Sequence, residues 1–114
     1  MTAKPQQPKA DMSAHSWKLD DGVKRNRQNP KTFEIPSARE RETLKPGDHV
    51  KLAFLVDDPE YGGERMWVEV AKVKGQTYVG TLINQPLFIE DLEWGQEIKF
   101  APCHVIDIIP STHH

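Results

Sequence analysis

The chain has 114 residues and a formal net charge of -2, which leaves room for one domain and a tail and gives no overall basic footprint for a nucleic acid. A hydrophobic fraction of 37% is low for a fully globular chain, so part of the length is expected to lie outside any core. The single cysteine, Cys103, excludes an internal disulfide framework and points to a reducing, cytoplasmic compartment, and no apolar run approaches the roughly 18 residues of a membrane-spanning helix.

Charge is spread unevenly. Residues 1–35 carry seven Lys/Arg against four Asp/Glu, and the rest of the chain carries eight against thirteen. A mildly basic arm therefore precedes an acidic domain. Met1 to Ala10 has lysines but no apolar stretch behind them, unlike a secretory signal. Residues 1–13 offer almost nothing to bury and read as a loosely held tail. Over residues 14–35 the apolar anchors Trp17, Leu19, Val23, Phe33 and Ile35 follow neither helical nor strand period. An extended arm with one helical turn, pinned by Trp17 and Phe33, is the expectation. The division this implies is an arm over 1–32, one domain over 33–110 and a short tail over 111–114.

Ser37 followed by Glu40 is a capping box, so a short helix is predicted from there to about Leu44, closed by Pro46 and Gly47. His49 to Val56 is the first strand, with Val50, Leu52, Phe54 and Val56 on one face. The loop over 57–63, with Pro59 and Gly62-Gly63, is longer than a tight hairpin needs. Glu64 to Val73 is the second strand, with Met66, Val68 and Val70 facing one way and Arg65, Trp67 and Glu69 the other. Gly75 suits a hairpin connection to a third strand over 77–83, where Gly80 marks a bulge or a close approach. After Asn84-Gln85-Pro86 come an apolar and acidic connector, a fourth strand over 96–101 and a fifth over 104–109. The whole is mainly β: a small, strongly bent antiparallel sheet or SH3-like barrel of about five strands, with one short N-terminal helix and the arm. A flatter α+β sheet covered by helix and arm is the alternative.

From Phe33 to Ile108 the chain resembles a bacterial family, the domain of unknown function numbered 2314. Four segments carry the likeness: Phe33-Glu34-Ile35-Pro36-Ser37, Gly47 to Leu52, Glu64 to Val70, and Gly80 to Pro86 with the strand at Ile98. The resemblance implies a small bacterial protein and supplies no catalytic residues. A neighbouring family with a similar Trp-Val strand and Asn-Xaa-Pro turn resembles immunity proteins of bacterial toxin systems, which implies an inhibitory role.

No chemistry-bearing constellation stands out. Cys103 and His104 are neighbours on what reads as a strand, so they point to opposite faces and form no thiolate–imidazolium pair. His15, His49, His104, His113 and His114 lack metal-ligand spacing, and the acidic loop of Asp57, Asp58, Glu60 and Glu64 lacks the pattern of an EF-hand. No catalytic residue, cofactor or metal is assigned.

The candidate binding residues are Arg65, Trp67 and Glu69 on one strand face, with Tyr78 and Asn84 across the hairpin. Trp and Arg are enriched where proteins bind proteins, so the partner expected is another protein. The competing expectation is that the arm bearing Trp17 and Phe33 simply covers Trp67. Two further readings stand beside the binding module. One is a small enzyme or ligand-binding protein with a pocket between the 57–63 loop and the 84–86 turn. The other is a weak single-stranded nucleic-acid binder supported by Lys24, Arg25 and Arg27 but opposed by the acidic domain.

Overall fold

Alternating side chains build one curled sheet. The computed structural model describes residues 16–58, 60 and 62–111. The tail expected over residues 1–13 and the His113-His114 pair lie outside them. Among the described residues six strands pair antiparallel: β1 (Trp17–Leu19), β2 (His49–Val56), β3 (Gly63–Lys74), β4 (Thr77–Leu82), β5 (Glu97–Phe100) and β6 (Asp107–Ile109). They run in the order β1-β2-β3-β4-β5, and β6 joins β2 on the edge it shares with β1. The sheet curls into a half-barrel. The alternation thus leads to the bent antiparallel sheet, with six strands where five are expected and two helices where one is.

The arm accounts for both additions. Trp17-Lys18-Leu19 is too short to show a period, but it finds the free end of β2, with Lys18 opposite Leu55. Asp21 then caps helix α1 (Gly22–Gln28), its side chain accepting from the Lys24 N–H at 3.0 Å. Trp17 turns inward and meets Phe54 edge-on, with ring centroids 5.3 Å apart. Helix α2 (Ala38–Glu42) starts at the expected box: the Ser37 hydroxyl accepts from Glu40 N–H at 3.1 Å, and the Glu40 carboxylate accepts from Ser37 N–H at 2.9 Å. The helix stops two residues early because Leu44 turns into the core.

The interior is the even-numbered face of the central strands. Val50, Leu52, Phe54, Val68, Val70, Leu82 and Ile98 are fully buried, joined by Val105 from the segment before β6. Each such side chain contributes roughly 1.5–3 kcal/mol on burial, so these residues outweigh any single polar contact in the chain. Leu44, Ile89 and Leu92, from outside the sheet, complete the core. The final strand is shorter than expected. Pro102–His104 forms a 3-10 turn closed by the Val105 N–H on the Pro102 carbonyl at 3.2 Å, so His104 is taken out of the strand and only Asp107–Ile109 pairs. No helix among the described residues is long and apolar enough to cross a membrane.

Gly75, at φ 61°, makes the β3–β4 hairpin. Gly80 has a different job. It faces Val70 just before the register shifts at Ala71, and a Cβ there would lie 2.5 Å from Val68 Cγ1 and 2.7 Å from the Glu69 carbonyl oxygen. The carbonyl is backbone and has nowhere to go. Gly80→Ala is therefore expected to destabilise the chain by about 1–3 kcal/mol in urea unfolding. A change under about 0.5 kcal/mol would mean that β3 and β4 do not approach so closely there.

Candidate functional site

The register of β2 and β3 decides which side chains share the outer face. Lys51 stands opposite Trp67, His49 opposite Glu69 and Ala53 opposite Arg65. Asp107 of β6 adjoins Lys51, and Thr81 of β4 adjoins Glu69. Arg65, Trp67 and Glu69 thus sit together on the outer face. Arg65 and Glu69 are exposed and Trp67 is half-buried.

Three cation–aromatic contacts, on two rings, shape this face. The Lys51 ammonium lies 5.2 Å from the centre of the Trp67 ring. Phe33 is flanked by two guanidinium groups, Arg65 at 5.4 Å and Arg25 at 5.7 Å. The Phe33 backbone is held in place by α1: its carbonyl accepts from Asn26 Nδ2 at 2.8 Å and its N–H donates to the Asn29 carbonyl at 2.9 Å. Phe33 therefore borders the face at Arg65, while Trp17 packs into the core from the other side. A contact such as that of Lys51 with Trp67 is worth about 0.5–1 kcal/mol at an exposed site, little enough for a partner to displace. Glu69 reaches His49 at 3.6 Å, an ion pair only when the imidazole is protonated.

Asn84 and Tyr78 play other parts. The Asn84 side-chain oxygen accepts from the Trp67 N–H, while the Trp67 carbonyl accepts from Ile83 N–H at 3.0 Å. Asn84 thus supplies the acceptor that the β4 backbone no longer provides, and it fixes the strand beneath the indole. Tyr78 is 3% exposed and lies in the core. Its ring stacks on Phe100 at 5.2 Å, and its hydroxyl donates to the Arg41 carbonyl at 2.9 Å and accepts from Leu44 N–H at 3.4 Å. It ties the sheet to α2 and does not join the face.

Two contributors escape the sequence reading. Lys51 is one, because its place over Trp67 follows only from the register. Glu64 is the other. Its carboxylate accepts the N–H groups of Leu87, Phe88 and Ile89 at 2.8, 3.0 and 3.1 Å, and so holds the connector after β4 against the start of β3. A carboxylate in phase with Met66 and Val68 is the signal that could have found it. Ser16 N and Oγ bind the Asp91 carboxylate at 2.7 and 2.5 Å, which joins β1 to the same connector.

The loop chemistry differs from the face. An open cleft of about 600 Å³ lies between Asp57-Asp58 and Phe88–Asp91, displaced from the 84–86 turn where the sequence places a pocket. Among the described residues no group of three or more His, Cys, Asp or Glu is placed to hold a metal ion. Burial pushes the Cys103 thiol up, with Asp21 acting in the same sense, so the sulfur stays protonated near neutral pH. His104 is turned inward in the 3-10 turn, where its Nδ1 accepts from Ala101 N–H at 3.0 Å.

Residues 17–113 match a family described as "Uncharacterized protein conserved in bacteria (DUF2314)". The chain belongs to this family. The match takes in β1 and α1 as well as the segments from Phe33 onward. Comparison with curated proteins and comparison with solved structures each returned no match.

Two outcomes follow from this geometry. Glu64→Gln removes the anion that collects the connector's N–H groups. A loss of about 1–3 kcal/mol is expected, together with faster hydrogen exchange at Leu87, Phe88 and Ile89. Unchanged exchange at those amides would mean that Glu64 does not hold the connector. For His104, burial lowers the pKa from its ordinary 6.5, against the opposing pull of Asp21 and Asp20. The unfolded chain then takes the proton more readily than the folded one. The stability this imidazole contributes is present above the unfolded value and is lost as pH falls through the lowered folded value. His104→Gln should flatten that part of a stability–pH curve, and an unchanged curve would contradict the assignment.

Proposed function

We propose that this chain is a non-enzymatic binding module that captures another protein on the outer face of its central hairpin, at Arg65, Trp67 and Glu69, in the manner of an inhibitory or immunity-type protein. The observation that carries this reading is Trp67, a half-buried indole on an outer strand face with the Lys51 head group over its ring at 5.2 Å and charged neighbours on either side. Positive Lys51 and Arg65 alternate there with negative Glu69 and Asp107, so recognition rests on the aromatic contact and on the pattern of charge, not on net charge. Lys51 and Asn84 hold the indole and its strand in position. A single cysteine suits a reducing, cytoplasmic setting, and the reading needs no cofactor.

A second reading has one observation of its own, the cleft between Asp57-Asp58 and Phe88–Asp91. A small ligand bound there, as substrate or as effector, would leave the outer face out of its contacts.

The same variants separate the two. The tagged chain is used to capture partners from the lysate of a bacterium that encodes it, alongside Trp67→Ala, Arg65→Glu and the control Trp94→Ala. A stoichiometric partner lost by Trp67→Ala, at a cost of about 2 kcal/mol or more in affinity, and kept by Trp94→Ala is the expected result. A partner retained equally by all variants would overturn the outer-face reading.

A further inference from the structure

Among the described residues strand β5 has one strand neighbour. It pairs with β4 through Tyr78 opposite Phe100 and Gly80 opposite Ile98, and no strand among the described residues lies on its other side. Leu82 N–H donates to the Gln96 carbonyl at 2.9 Å, in the same register. Hydrogen-bonded pairs alternate along an antiparallel ladder, so Ile98 and Phe100 spend their backbone groups on β4. The N–H and C=O of Glu97 and Lys99 point to the open edge. Both residues are exposed, whereas Ile98 and Phe100 are 1% and 3% exposed and belong to the core.

We propose that this edge pairs with the same edge of a second copy of the chain, in an antiparallel two-fold arrangement centred on Ile98. The charge pattern selects both the occupant and the register. With Ile98 opposite its own copy, Glu97 of each chain stands across from Lys99 of the other, and these are the residues whose backbone groups are free to exchange hydrogen bonds. Sliding the second strand by two residues in either direction sets Glu97 against Glu97 or Lys99 against Lys99. Opposite charges directly across a strand pair stabilise it and like charges destabilise it, so one register stands out from its neighbours. A two-fold axis requires self-complementarity, and Glu97-Ile98-Lys99 has it. Trp94, 60% exposed at the turn leading into β5, adds apolar surface at the rim. The strand is short, so the association is weak and depends on concentration. It is independent of the outer-face reading.

The test is sedimentation of the full chain from micromolar to millimolar concentration, with Glu97→Lys and Lys99→Glu made separately. The wild type should self-associate, and each variant should do so at least about tenfold more weakly, because each replaces attractive cross-strand pairs with repulsive ones. An equimolar mixture of the two variants should associate again, because both edge positions are then basic in one chain and acidic in the other, and every cross-strand pair is once more attractive. Hydrogen exchange supplies a readout that needs no variant: protection at the Glu97 and Lys99 amides should rise with concentration while Ile98 stays constant. A chain that remains monomeric throughout, or one whose association ignores both substitutions, or variants that fail to recover on mixing, would overturn the proposal.

Discussion

The pairing of β2 with β3 is the constraint on which the rest depends. Val50 opposite Val68 and Leu52 opposite Met66 put the core on one face, and Lys51 opposite Trp67 then falls on the other without further choice. A slip of one residue would send Trp67 inward and Val68 out. Burial of the even-numbered residues therefore specifies the outer face as firmly as it specifies the core, although that face contributes little to stability itself. β1 and β6 divide the other edge of β2 between them, and the backbone between their ladders is also occupied. The Lys51 carbonyl accepts from Ile106 N–H at 3.0 Å and the Ala53 carbonyl from Asp20 N–H at 2.9 Å.

Around that frame, short polar contacts position what the core leaves loose. Glu64 draws the connector after β4 toward β3, and this allows Ile89 and Leu92 to enter the core. Asn84 completes the ladder at Trp67. Tyr78 joins the sheet to α2 through its hydroxyl. None of these groups resembles a reacting centre. Each is engaged by hydrogen bonds within the fold, whereas the Trp67 ring meets the head group of Lys51, which can move away.

Much of this is legible in the sequence where one physical rule acts alone. The bounds of β2 follow from strict alternation, the start of α2 from Ser37 and Glu40, and the tight approach at Gly80 from a glycine in a strand. Sharing of a face by Arg65, Trp67 and Glu69 also follows from period two. What is not legible depends on tertiary context. Trp17-Lys18-Leu19 becomes a strand only because β2 has an unpaired end. His104 leaves the strand pattern because Pro102 begins a turn in which its ring can serve the Ala101 N–H. Tyr78 has the composition of a binding residue, but its hydroxyl is claimed by α2, and nothing in local spacing shows that helix beside it. Lys51 becomes part of the site only once the register is known.

A binding face built by this register around Trp67 would place a partner's footprint there. The most direct measurement is an amide and indole chemical-shift map of the isotopically labelled chain, taken as a captured partner is added. The largest changes are expected at the Trp67 indole and along Lys51, Arg65, Glu69 and Thr81, with core residues such as Tyr78 little affected. Changes concentrated instead at Asp57-Asp58 and Phe88–Asp91, with the Trp67 indole unmoved, would contradict it and assign the binding to the cleft.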